Sequence, residues 1–237
     1  CVFFVVVCLL EFLSYRKIYA YEYNRLELTD TVYVEHRTST SSMYENRLKF
    51  KPLTGAPIEQ RIGFMYQADD NKLRLDIGVS IDLISLNNYI SIGADFLTLT
   101  RLRSEGNLKF PVETGDYYFG VNLSSGLLPY NLLNQPLSFR LRIAHISSHL
   151  IDGLADQNAV LNPKPFVYSR EFAELTTALN FKRFRPYIGI NYIWSTQPKN
   201  IAKLIPHLGF DFEQPISTQW YAVGGLDCRI VGVEGVY

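Results

Sequence analysis

Between residues 73 and 83 every odd position is apolar (Leu73, Leu75, Ile77, Val79, Ile81, Leu83), while the even ones are Arg74, Asp76, Gly78, Ser80 and Asp82. A period of two sends successive side chains to opposite faces of a strand, so one face meets an apolar medium and the other a polar one. Asn87-Asn88 supplies a turn, after which Ile90, Ile92, Ala94 and Phe96 alternate with Ser91, Gly93 and Asp95, completing a hairpin. The same alternation predicts strands at about 58–67, 73–86, 89–102, 117–124, 137–149, 166–181, 184–195, 204–213 and 218–231. Short connections near Asn71, Asn87 and Lys182-Arg183 contrast with longer ones at 103–116 and 150–165, a pattern of tight turns and long loops that suits a membrane barrel. Tyr66, Tyr89, Tyr117, Tyr118, Tyr168, Tyr187, Trp194, Trp220 and Tyr221 fall near strand ends, where an interfacial belt or strand propensity alone would place them.

Composition narrows the choice. The 237 residues carry Lys+Arg 23 against Asp+Glu 23, which removes the long-range field of a general nucleic-acid binder. Charged residues make up 19%, below the roughly 25% of a typical soluble domain. No stretch beyond the first residues approaches the ~20 apolar residues of a spanning helix. A β-rich soluble domain or a membrane barrel survives these tests. Residues 1–13 are almost wholly apolar and are followed by Arg16, Lys17 and an Ile18-Tyr19-Ala20 step, so 1–20 reads as a signal peptide, with a short buried helix or an anchor as alternatives. The polar stretch 21–57 reads as an N-terminal extension or plug, and 58–237 as the barrel. The chain lacks an initial Met and a closing turn signal at Tyr237, so both ends are expected to be truncated. Since closed bacterial barrels are generally even-stranded, a further strand is expected in 21–57 or past Tyr237. Cys228 alone lies outside the leader, so no disulfide framework is expected and no zinc spacing is present.

Candidate chemistry lies in LSFRLRIAHISSH, residues 137–149. Its odd positions run Leu137, Phe139, Leu141 and Ile143, then His145, Ser147 and His149 on the same face, with Ser138, Arg140 and Arg142 on the other. Polar side chains on an apolar face are costly unless they are used or lie in the membrane interface; a bulge turning them into the lumen is the remaining option. In 166–181, Ser169 and Glu171 continue the face of Ala173, Leu175, Thr177, Leu179 and Phe181, and aligning the two apolar faces places His145 opposite Glu171. Ser147 is then a candidate nucleophile, His145 its base, and Glu171 or Ser169 the group that orients the imidazole. His149 and Asp152 are weak candidates for a calcium site, for which few of the 6–8 oxygen ligands can be named. Arg140, Arg142, Arg170 and Glu174, on the opposite face, read as a lumenal ion-pair network, with a solute pore as the alternative.

His145-Ile146-Ser147, followed by a long loop and Tyr168-Ser169-Arg170-Glu171, resembles the His-x-Ser arrangement of outer-membrane phospholipase A and of lipid A deacylase barrels. In those families the His and Ser face outward from the barrel; an Asn supports them in the phospholipase and a Glu in the deacylase, which Glu171 resembles. The phospholipase has Asn directly after its Ser, where this chain has Ser148. A fuller resemblance, over most of 47–195, is to an uncharacterised bacterial outer-membrane barrel family, a domain of unknown function. It rests on Phe50-Lys51-Pro52-Leu53 with Ala56-Pro57, Gly115-Asp116-Tyr117, the run His145-Ile146-Ser147-Ser148-His149-Leu150 with Asp152, and Tyr168-Ser169-Arg170-Glu171. That family usually continues His-Leu-Gly-Asp-Glu, where this chain has Ile151 and Gly153 for the Gly and Glu.

The expectation is an all-β fold, an antiparallel up-and-down transmembrane β-barrel of 10–12 strands in a bacterial outer membrane, monomeric or weakly dimeric. Its partners are membrane lipids, with no nucleic acid and no cofactor. As an enzyme it would be a serine hydrolase of lipid esters; as a non-enzyme, a structural or binding barrel using the 103–116 and 150–165 loops. A soluble lipocalin-like carrier would instead turn Leu75, Ile77 and Leu141 inward.

Overall fold

The computed structural model describes residues 2–16, 48–67, 71–107, 109–129, 131–150, 168–217 and 220–234. These residues are all-β, with no helix among them. The strands are β1 (Val2–Arg16), β2 (Ile62–Gln67), β3 (Lys72–Ser85), β4 (Ile90–Arg103), β5 (Val112–Ser125), β6 (Asn131–Leu132), β7 (Gln135–Leu150), β8 (Tyr168–Leu179), β9 (Phe184–Gln197), β10 (Leu204–Pro215) and β11 (Trp220–Glu234). They form one antiparallel sheet in the order β1-β11-β10-β9-β8-β7-β5-β4-β3-β2, with the two-residue β6 attached to β7. Apart from β1 this is a meander, which short turns allow: the Asn87 side chain, for example, accepts from the Tyr89 and Ile90 amides at 2.8 Å to turn β3 into β4. Among the described residues no ladder joins β1 to β2.

The sheet is curled into a barrel-like wall. Arg229 on β11 bonds to Glu174 on β8, across β10 and β9, and Leu97 of β4 shares a buried cluster with Ile193 of β9 and Ile205 of β10. Its convex face is largely apolar and its concave face largely polar. Ile77, Val79, Val121, Ile143, Leu175, Ile188 and Leu208 are exposed on the convex side, while Asp76, Asp95, Asn122, Arg140, Arg142, Glu174, Asp211, Asp227 and Arg229 are buried on the concave side. Ile77 points out, and Leu141 alternates with the buried Arg140 and Arg142, so the lipocalin-like arrangement is excluded.

Residues 48–61 run inside the curl. Thr54 N donates to Asp211 Oδ1 at 2.8 Å, Arg185 Nη2 to the Pro52 carbonyl at 2.9 Å, and Arg61 Nε to Asp76 at 2.8 Å. Phe50, Leu53 and Ala56 are buried there with Tyr187 and Ala178. The approach is close enough to require glycine on both sides: a Cβ on Gly55 would lie 2.7 Å from the Gly225 carbonyl carbon. Residues 58–61, expected as the start of a strand, belong to this inner segment because Glu59 is drawn to buried arginines rather than to a ladder partner.

Other expectations need correcting. β5 begins at Val112, so the loop expected over 103–116 spans only 104–111. A strand beyond the nine expected is β1, paired with β11 from Val2↔Glu234 to Arg16↔Trp220. It lies in the segment read as a leader, where a continuous apolar run has no periodicity to tell a strand from a signal peptide, whereas most of 21–57 lies outside the described residues. Tyr118 and Tyr187 are buried in the lumen and do not join a belt, whereas Tyr66, Tyr89, Trp194 and Trp220 are exposed. Asp152 and the 151–167 part of the second loop lie outside the described residues, as do 17–47.

Candidate functional site

The wall formed by β5, β7 and β8 carries the predicted cluster. Its register pairs His145 with Glu171 and with Phe119, and Ser147 with Ser169 and with Tyr117. Continuous alternation along β7 keeps Ile143, His145, Ser147 and His149 on the outer face, because Arg142, Ala144 and Ile146 between them are buried. The His145 and Glu171 side chains are 41% and 35% exposed, so this is an open surface site at one end of an apolar wall.

His145 Nδ1 lies 3.2 Å from Glu171 Oε1. Glu171 also accepts from the Ser195 hydroxyl. A carboxylate on Nδ1 favours the tautomer with its proton there, leaving Nε2 free to accept one. Ser195 reaches this face through a bulge: the β8–β9 register shifts between Glu171 and Phe172, which pair with Ser195 and Ile193. Without the extra residue Ser195 would point inward with Asn191 and Ile193, both buried. Sequence reasoning missed Ser195 because a bulge leaves no parity signal.

The nucleophile candidate is placed differently from expectation. Ser147 Oγ lies 3.1 Å from His149 Nε2, and among the described residues it has no hydrogen bond to His145. His149 in turn meets the Tyr117 ring edge-on, with centroids 5.6 Å apart. Ser169 stands across from Ser147, so Glu171 and not Ser169 holds His145. The outer face therefore has an acid-supported imidazole and, one pleat further along, a serine bonded to a second imidazole. Residues i and i+2 are about 6–7 Å apart along a strand, so His145 and His149 flank Ser147 on this face. Asp152, the expected partner of His149 in a metal site, lies outside the described residues; among the described residues there is no group of three or more possible ligands.

Behind this wall the lumen is filled by charge. Glu59 accepts from Arg140 and Arg142, Arg142 also donates to Glu174 at 2.7 Å, and Arg229 donates to Glu174 at 3.1 Å and Asp227 at 2.7 Å. Glu59, Glu174 and Asp227 thus balance Arg140, Arg142 and Arg229. Of the residues expected in this network only Arg170 stands apart, its guanidinium 5.0 Å from the Tyr168 ring centre. His207, which the sequence reading left unassigned, places Nδ1 3.2 Å from Asp227 and Nε2 3.5 Å from the Thr176 hydroxyl. That order resembles a nucleophile, base and acid, but the His207 and Asp227 side chains and Thr176 are fully enclosed, so the group braces the lumen. No protein-family model, curated protein or solved structure matches the chain.

Proposed function

We propose that this chain is an outer-membrane β-barrel that hydrolyses lipid esters at the outer leaflet, with Ser147 as nucleophile, His145 as base and Glu171, steadied by Ser195, as the group that orients His145. The observation carrying this reading is the His145–Glu171 pair, 3.2 Å apart in a polar cluster at one end of a largely apolar outer wall. Lipid contact favours that wall, since Ile77, Val79, Ile143, Leu175, Ile188 and Leu208 would be hydrated in water and are matched by acyl chains. The resemblance of His145-Ile146-Ser147 and Tyr168-Ser169-Arg170-Glu171 to outer-membrane barrels supports the same location.

In the reaction, the Ser147 hydroxyl turns from His149 to His145 Nε2. Its oxygen attacks the ester carbonyl as its proton passes to Nε2. Collapse of the tetrahedral adduct expels the alkoxide, which takes that proton and leaves an acyl-serine; water activated by His145 then releases the fatty acid and restores Ser147. Apo sites often hold such hydrogen bonds only in the substrate complex. The barrel acts as a monomer or weak homodimer, with membrane lipids as its partners.

A second reading, a non-enzymatic lipid-binding or structural barrel, is favoured by the Ser147–His149 bond, which occupies the nucleophile. Ester release by the refolded full chain from mixed lipid micelles separates the two. Ser147→Ala should abolish release, and His145→Gln should lower it by about 10²–10⁴-fold, the usual contribution of a general base. His149→Gln should leave release within about tenfold, because no described carboxylate supports that ring. Release that survives Ser147→Ala refutes the assignment, and no release from the folded chain leaves the binding barrel standing.

A further inference from the structure

We infer that the rim at the tight-turn end of the sheet is a docking site for an acidic phospholipid, with its phosphate among lysines and arginines and its acyl chains on the adjoining outer wall. This rests on the membrane location proposed above and not on the outer-wall chemistry. The turns after β3, β8 and β10 all lie at this end, and a cavity of about 330 Å³ opens there between the inner segment and β8, β9 and β10. Its lining spans the rim: Lys49, Lys51, Lys182, Arg183 and Arg185 border it together with Phe181, Phe184 and Phe212. The β8–β9 hairpin builds this layering. Phe181 N donates to the Phe184 carbonyl at 3.0 Å, and the two rings stand side by side, 6.2 Å apart, with Phe210 5.3 Å beyond Phe184. Phe181 and Phe184 are exposed on the outer face, and Lys182 and Arg183, also exposed, form the tip beyond them. Rings on the apolar wall with cations just past them follow the order in which a bilayer presents acyl chains and phosphates.

Charge selects the headgroup. The five cations of the lining face two carboxylates, Glu213 and Asp211, and Asp211 is already engaged by Arg185 and the Thr54 amide. Residues 17–47, which lie outside the described residues and lead into this end at Leu48, carry four Lys and Arg against five Asp and Glu, while Thr218 and Gln219 are uncharged. Even their full charge therefore leaves this end positive. A phosphoglycerol headgroup, with one negative charge and neutral hydroxyls, meets that excess, whereas phosphocholine brings a cation of its own. The bordering phenylalanines separate a lipid from free phosphate, which gains nothing from an apolar wall.

The test folds the full chain into phosphatidylcholine vesicles and compares, by electron paramagnetic resonance, how strongly phosphatidylglycerol and phosphatidylcholine spin-labelled on an acyl chain associate with it. Phosphatidylglycerol should associate at least about fivefold more strongly, the effect of one Lys or Arg beside an anionic lipid, and the preference should shrink at high salt. Lys182→Gln combined with Arg183→Gln should remove most of the preference. Lys109→Gln, exposed at the opposite end of the strands, should leave it within about twofold, because such attraction fades within a Debye length. Should the double variant fail to fold, the lipid comparison and its salt dependence on the unaltered chain decide. Equal association of the two lipids, a preference untouched in the folded double variant, an equal loss in Lys109→Gln, or a preference abolished by inorganic phosphate where chloride of the same ionic strength leaves it would each overturn the inference while the membrane location stands. A chain that enters no vesicle overturns both.

Discussion

Replacing Glu59 by Gln removes one negative charge from the centre of the lumen with little change of shape. Glu59, Arg140 and Arg142 are each 2% exposed, so water cannot compensate. Arg140 Nη1 donates to Glu59 Oε2 at 3.2 Å, its Nη2 donates to Oε1, and Arg142 Nη2 donates to the same Oε1 at 2.5 Å. Arg142 retains Glu174 after the change. Arg140 loses the carboxylate it is hydrogen-bonded to, keeping the Phe50 ring, 4.8 Å from its guanidinium carbon, and the more distant charge of Glu174. Removing one partner of a buried pair costs about 3–5 kcal/mol, so Glu59→Gln should destabilise the barrel by about that amount. Adding Arg140→Met should return about 0.5–3 kcal/mol, because the stranded cation is then gone. Denaturant unfolding of the detergent-folded chain, followed through Trp194 and Trp220 fluorescence, reads both values. A loss below about 1 kcal/mol for Glu59→Gln, or strict additivity in the double variant, refutes the argument that the lumen is held by balanced charge.

Two other substitutions probe the walls. Val79, 51% exposed and midway along β3, should tolerate Lys in a water-soluble protein but cost about 2–4 kcal/mol if that face lies in lipid near the bilayer midplane; unfolding from vesicles measures the difference, and an unchanged midpoint counts against a membrane location. At Gly189 a Cβ would collide with His207 Nε2 and sit 2.7 Å from the Leu175 carbonyl oxygen. Gly189→Ala should therefore cost about 1–3 kcal/mol and be partly rescued by His207→Ala in the same unfolding assay; equal stability of Gly189→Ala and the parent would contradict the close contact.

Parity made much of this architecture legible. The alternation in 73–83 and 137–149 is strong enough to orient whole strands, and aligning two apolar faces was sufficient to pair His145 with Glu171, as the ladder has it. It also identified Arg140, Arg142 and Glu174 as inward-facing. What it could not convey are features with no periodic trace. The β9 bulge delivers Ser195 to Glu171, and the Ser147 hydroxyl bonds to His149. Tyr118 and Tyr187 look like belt residues by type, yet their strand parity turns them into the lumen. The apolar run at 2–16 is ambiguous for the opposite reason: it has too little alternation to declare a strand.

The inner segment also constrains the order of assembly. Glu59 precedes Arg140 and Arg142 by 81 and 83 positions, and Thr54 precedes Asp211 by 157. Contacts so distant along the chain form late, after the intervening strands have been brought together. Residues 48–61 lead directly into β2, which stands at one end of the strand order, with β3, β4 and β5 following in sequence. The sheet can thus wind around its own filling from β2 onward, with the arginines of β7 arriving at a carboxylate already in place. Folding by wrapping avoids the step in which a finished, charged channel would have to admit a polar strand of chain.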